Sequence, residues 1–174
     1  MRSLFASLSR TLSACAIIAA AHPLAAQATI IETEDRRSGP RVGAAYLIGG
    51  SVTAENEGFH VQPLMSLFGW QTERPFSTGI AGAPLPVVET VWMVGGIEQS
   101  RPLWSASFIL GVRQPNGWEV GLGPTLTGAG TQFTFAAGVT HAVGLLNFPV
   151  NLAVTPGRRG ASISLTTGFN RRTR

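Results

Sequence analysis

Two histidines, His60 and His141, and four carboxylates, Glu73, Glu89, Glu98 and Glu119, are the side chains of this chain best suited to proton transfer or metal binding. Neither histidine has a histidine or cysteine at ligand spacing, so a transition-metal centre has no donor set to build on. Acyl transfer needs a nucleophile, a base and an orienting group held together. Serines are plentiful, but His141 is followed by Ala142-Val143, and the single aspartate, Asp35, lies near the N-terminus. No lysine occurs anywhere, which excludes a P-loop, a Schiff-base lysine and a serine–lysine dyad. These absences leave no residue to assign to catalysis, cofactor binding or a metal. What remains is ion pairing. The arginines Arg41, Arg74, Arg101 and Arg113 fall near the carboxylates, within or at the ends of segments that read as strands.

Those segments must place the charges. Eight are legible, at about 40–49, 62–74, 85–97, 103–114, 118–128, 131–141, 145–155 and 160–170, near the roughly 9–11 residues a tilted strand needs to cross a bilayer. A strand sends successive side chains to opposite faces. In Ser162-Ile163-Ser164-Leu165-Thr166-Thr167-Gly168-Phe169-Asn170, one face carries Ile163, Leu165 and Phe169. The other carries Ser162, Ser164, Thr166, Gly168 and Asn170. The same split gives an apolar face of Trp104, Phe108, Leu110 and Val112, then Trp118, Val120 and Leu122, then Phe133 and Phe135, then Phe148, Val150 and Leu152. Its reverse carries Ser105, Ser107, Arg113, Glu119, Thr125, Gln132, Thr134, Asn147 and Asn151. Leu64 to Phe68 and Val87-Val88 are apolar on both faces, which marks either a departure from the pattern or apolar filling of a lumen. Trp104 and Trp118 begin their strands, as members of an interfacial aromatic girdle do. Trp70 and Trp92 are mid-strand and read as packing residues.

One turn sets a register. A two-residue Asn116-Gly117 loop would put Val112 opposite Gly121, an outward residue against an inward one. A three-residue loop, Pro115-Asn116-Gly117, aligns Val112 with Val120 and Leu110 with Leu122, with glycine at the left-handed position. That register sets Arg113 opposite Glu119 on the inner face and predicts an ion pair in the lumen wall or at its rim. An arginine facing lipid near the midplane would cost about 2–4 kcal/mol, so the strand charges are expected in the lumen or at the rims.

The N-terminus reads as an export signal. Thr11 to Ala21 is an apolar run too short to span a bilayer as a helix, Pro23 ends it, and Ala26-Gln27-Ala28 offers small residues for cleavage after Ala28. Leu12-Ser13-Ala14-Cys15 has the look of a lipoprotein box, but the apolar core mostly follows Cys15. Cleavage after Ala28 would remove the one cysteine, and with it any disulfide. The expected organisation is a signal peptide at 1–28, a flexible leader at 29–39, a barrel domain at 40–170 and a basic tail at 171–174. Only 13% of residues are charged, about half the globular average, and 21 are glycine. A wall bathed in lipid tolerates such a surface; a soluble domain needs more charge. The net charge of +4 falls to +2 without Arg2 and Arg10, and is too small and too local for nucleic-acid binding.

The final run, Ser162 to Asn170, resembles the closing strand of bacterial outer-membrane barrels, which end in alternating apolar residues and an aromatic, here Phe169. Pro63 to Gln71 and Leu146 to Val154 look like a group of uncharacterised exported β-rich proteins. The resemblance implies insertion by the barrel-assembly machinery and outer-membrane lipids as partners. The histidine with a serine two residues on, as in lipid A deacylase barrels, is absent at His141. The reading is therefore an all-β, antiparallel up-and-down β-barrel of about eight strands in the outer membrane, with a structural or envelope-component role. The alternative is a soluble periplasmic barrel or sandwich that holds an apolar ligand and turns its apolar face inward.

Overall fold

The computed structural model describes residues 30–31, 36–49, 62–76, 79–80, 82–157 and 160–173. The expected signal peptide with Cys15, leader residues 29 and 32–35, and the loop histidine His60 lie outside the described residues. Within the unit Ile31–Arg174, eight described strands build the barrel: β1 (Arg36–Ile48), β2 (Leu64–Pro75), β3 (Leu85–Gly95), β4 (Leu103–Arg113), β5 (Trp118–Thr127), β6 (Gly130–Val143), β7 (Leu146–Gly157) and β8 (Gly160–Gly168, resuming as Asn170–Thr173). Each pairs antiparallel with its sequence neighbours, and β8 pairs with β1, so the sheet closes into an up-and-down barrel without a free edge. One end carries the start of β1, the finish of β8, the finish of β2 with the start of β3, and the turns 114–117 and 144–145. The finish of β1, β3, β5 and β7 and the start of β2, β4, β6 and β8 lie at the other, distal end, with the turns 96–102 and 128–129.

The break in β8 has a local cause. Phe169 lies across from Pro40 in the register of β1, and Gly168 across from Pro149 in that of β7. Neither proline has an N–H to give the ladder. The register is unchanged past the break, and Arg171, Arg172 and Thr173 pair with Ser38, Arg37 and Arg36.

This corrects two boundaries. The stretch 36–39 belongs to β1, not to a flexible leader, and 171–173 belongs to the closing strand, not to a free basic tail. The charged composition of 36–37 suggests solvent, but the parity of β1 continues through it. Arg37 points inward with Gly39 and Arg41, and its charge is answered inside.

The β4–β5 turn takes the longer loop. The Gln114 N–H donates to the Trp118 carbonyl at 2.7 Å and the Gly117 N–H to the Gln114 carbonyl at 3.0 Å. Gly117 has φ 90, the left-handed region that glycine enters freely. Val112 then faces Val120, Leu110 faces Leu122, and Arg113 faces Glu119.

The two faces are sorted as the alternation predicts. Phe133 is 57% exposed and Leu152 47%, while Thr125 and Thr134 are buried. In the first strands, where both faces are apolar, Leu64 and Phe68 point outward and Met65 and Met93 are buried within. Trp70 and Trp92 are not packing residues. They are paired in register across β2 and β3, and both are exposed on the outer surface. Parity alone could not choose a side where both faces are apolar. A lipid-facing wall accepts aromatic side chains in mid-strand as readily as at the rim.

Candidate functional site

Among the described residues, polar side chains are concentrated in the lumen. Six charged side chains of the strands point into it and are buried: Arg37 and Arg41 from β1, Glu73 from β2, Glu89 from β3, Arg113 from β4 and Glu119 from β5. The register brings them together. Arg37 is level with Glu73, Glu73 with Glu89, and Arg113 with Glu119, all toward the end where β1 starts and β8 finishes. Arg113 is the hub. Its Nε donates to Glu119 Oε1 at 2.8 Å and its Nη2 pairs with Glu73 Oε1. Glu119 Oε1 also lies 3.8 Å from Arg37 Nη1 and accepts the Thr140 hydroxyl at 3.1 Å. A second branch runs from Arg41, whose Nε donates to Gln71 Oε1 at 2.9 Å. Gln71 Nε2 donates in turn to Glu89 Oε2 at 2.9 Å, and Asn151 Nδ2 reaches Gln71 Oε1 at 3.3 Å. Side chains from seven of the eight strands thus take part in these two neighbouring branches. Room for it comes from inward glycines: a Cβ on Gly138 would sit 1.9 Å from Asn151 Oδ1.

Three carboxylates in this network, Glu73, Glu89 and Glu119, bring ligand oxygens within 4.8 Å of one another. Carboxylate oxygens are what a hard cation takes. Here Arg37 and Arg113 answer Glu119 and Glu73, and the Gln71 amide donates to Glu89, so each carboxylate has a partner within the wall and the arrangement is a plug of ion pairs and hydrogen bonds. Sequence spacing did not reveal the carboxylate triple, because its members lie on three strands. Arg37 and Gln71 were also missed. Their signal is parity: each sits on the same face as Arg41 or Glu73, an even number of residues away.

Beyond the plug, the distal half of the lumen has two unlike walls. Ala45, Leu47 and Met65 form an apolar cluster, with Leu67 and Leu103 against it. In an eight-stranded barrel, strands four apart face each other, and the wall opposite is made of hydroxyls. Ser107, Thr125, Thr134 and Thr155 form a ladder across β4, β5, β6 and β7, with oxygen–oxygen distances of 2.8, 2.5 and 2.7 Å. A cavity of about 170 Å³ lies between these walls.

The outer surface carries its few charges at the ends. Arg36 and Arg74 are exposed at the end where β1 starts, and Glu98 lies on a 3₁₀ turn (Ile97–Gln99) at the distal end. Glu98 Oε1 accepts the Ser66 N–H at 3.0 Å, and its other oxygen accepts the Ser66 hydroxyl. These bonds hold its carboxyl below the usual carboxylate range. Trp104 and Trp118 stand exposed on the outside at opposite ends of the barrel, and Phe169 is exposed at the break in β8. His141 is exposed near the end of β6, with no histidine or cysteine among the described residues beside it to form a ligand set.

A closed antiparallel barrel with charge and hydroxyls inside and an apolar belt outside is an outer-membrane β-barrel. Among solved structures, the chain is similar to Ail, the attachment invasion locus protein of Yersinia pestis, with a TM-score of 0.48 and 10% identity over 80% of this chain and 99% of that one. The structure of Ail with the heparin analogue sucrose octasulfate gives a TM-score of 0.31 and 11% identity over the same shares. No family model and no curated protein matches the chain.

Proposed function

We propose that this protein is a structural, non-catalytic component of the outer membrane, a small barrel whose bore is sealed by its own side chains. One observation carries the reading: the six-charge plug drawn from five adjacent strands and completed by Gln71, Thr140 and Asn151. Eight strands enclose little more than their own side chains. A network in which each inward arginine and carboxylate has an opposite charge or a hydrogen bond close by serves to hold strands together, and it leaves no wide aqueous path. The lipids of the outer membrane are the solvent of the outer wall. The barrel-assembly machinery inserts the chain, reading a closing strand whose aromatic Phe169 faces outward.

The soluble alternative needs the apolar face inside. Phe133, Phe135, Leu152 and Leu165 lie outside, each about half exposed, which favours the membrane reading. Fractionation and gel migration test it. The protein should stay with membranes through salt and alkali washes and should migrate faster unheated than boiled on a denaturing gel. Planar-bilayer recordings should show no steady conductance. Release by alkali with heat-independent migration would return the soluble reading, and a stable ohmic channel would overturn the sealed bore.

A further inference from the structure

The lumen does not hold every charge of the wall. Arg36 and Arg74 are exposed on the outer face, at the end where β1 starts. The register sets Arg37 against Glu73, so Arg36, one residue earlier, stands across from Arg74, one residue later. Directly opposed side chains on one face have Cβ atoms about 4.5–5.5 Å apart, and like charges placed so repel. Among the described residues no carboxylate relieves the pair. Glu73, Glu89 and Glu119 are turned into the lumen, Glu98 lies at the distal end, and neither arginine takes part in an ion pair. Two guanidinium forks side by side suit the oxygens of one phosphate, which each can meet through two N–H groups.

The same face continues the pattern away from that end. Ser38 lies across from Thr72, Pro40 across from Trp70, and Trp70 across from Trp92 on β3. In steps of two residues, about 6.6–6.8 Å each, the outer wall passes from charge to hydroxyl to aromatic ring. Ser38 Oγ and Thr72 Oγ1 are 3.4 Å apart, and Trp70 Nε1–H donates to Ser38 Oγ at 2.7 Å. One hydroxyl proton serves the contact between the two oxygens, which leaves the other to be donated outward. A diacyl glycerophospholipid presents a phosphate, ester carbonyl acceptors and acyl chains in that same order.

We propose that this strip of β1, β2 and β3 binds one anionic glycerophospholipid, its phosphodiester between Arg36 and Arg74, its ester carbonyls at Ser38 and Thr72 and its acyl chains along Trp70 and Trp92. A zwitterionic lipid brings its own ammonium to a place where no described carboxylate receives it, so the strip selects a headgroup of net negative charge. Such binding presupposes the membrane reading of the wall, and the experiment separates the failure of one from that of the other.

The test uses the full barrel in mixed vesicles of phosphatidylcholine and phosphatidylglycerol, with bromine on the acyl chains of one lipid or the other. Two reporter forms are compared. One keeps Trp70 and Trp92 (Trp104→Phe, Trp118→Phe). The other keeps Trp118, which is exposed on the outer face at the same end of the barrel but on β5 (Trp70→Phe, Trp92→Phe, Trp104→Phe). Quenching at Trp70 and Trp92 should give phosphatidylglycerol an advantage of about fivefold over phosphatidylcholine. At Trp118 the two lipids should quench alike. Arg36→Gln with Arg74→Gln should abolish the advantage, whereas glycerol phosphate in the water, at constant ionic strength, should leave it in place. Equal quenching by the two lipids at Trp70 and Trp92, an equal advantage at Trp118, or an advantage that survives the double substitution would each overturn the proposal. Loss of the advantage to glycerol phosphate would overturn it too, by assigning the arginines a free anion. If neither brominated lipid quenches, the membrane reading fails and the lipid site with it.

Discussion

The two halves of the lumen solve the same problem in opposite ways. Toward the end where β1 starts and β8 finishes, the interior is filled by long charged and amide side chains that satisfy one another through Arg113, Arg41 and Gln71. Toward the distal end it is left partly empty, with methionine and leucine on one side and threonine on the other. The first half is tied to the fold, because each inward charge depends on a partner from another strand. The second half is loosely filled and tolerates change. Stability should thus be concentrated at the plug, and any capacity to accept a ligand at the other end.

The comparison can be broken first at the hub. Arg113→Leu leaves Glu73 and Glu119 buried with too little countercharge, and breaking a buried pair this way costs about 3–5 kcal/mol. Urea unfolding of the lipid-refolded barrel should show that loss; a change below 1 kcal/mol would mean that the plug is ornament. The same side chain placed on the other side of the wall gives a second test. Leu122→Arg, on the outer face of β5, should cost about 2–4 kcal/mol in a bilayer, and would be nearly harmless if that face met water.

The contrast sharpens with a smaller change in the distal half. Thr134→Val removes the middle of the hydroxyl ladder and should cost about 1 kcal/mol, well below the hub, because the freed hydroxyls of Thr125 and Thr155 border a cavity that water can enter. The smallest effect is expected at the distal rim. Glu98 has its carboxyl lowered by the Ser66 hydroxyl and N–H. A lowered folded value contributes stability above the ordinary carboxylate pKa, and that contribution is lost as pH falls through the folded value. The Ser66 amide signal should therefore titrate below about pH 4.3 while the barrel stays folded, and Glu98→Gln should abolish the titration.

Much of the wall was legible because a closed sheet repeats one simple rule. From β4 onward each strand alternates cleanly, so the faces, the three-residue turn and the Arg113–Glu119 register could be read from residues alone. The first three strands resisted because the distal lumen is apolar on their side, which removes the contrast that parity needs. Trp70 and Trp92 were misplaced for that reason. The ends of β1 and β8 were hidden by charge: Arg36-Arg37 and Arg171-Arg172 look like solvated tails, yet they pair with each other as strands. The plug was only half visible. One pair follows from a single turn, but Glu73, Glu89 and Arg37 meet Arg113 and Glu119 only after the barrel closes, and no local pattern encodes closure.

Tryptophan quenching tests the inverted wall most directly, since Trp70, Trp92, Trp104 and Trp118 all lie on the outer surface. In vesicles of lipid brominated along the acyl chain, their fluorescence should be strongly quenched while acrylamide in the water has little effect. Strong quenching by acrylamide with none from the brominated lipid would place those rings in water and contradict the account.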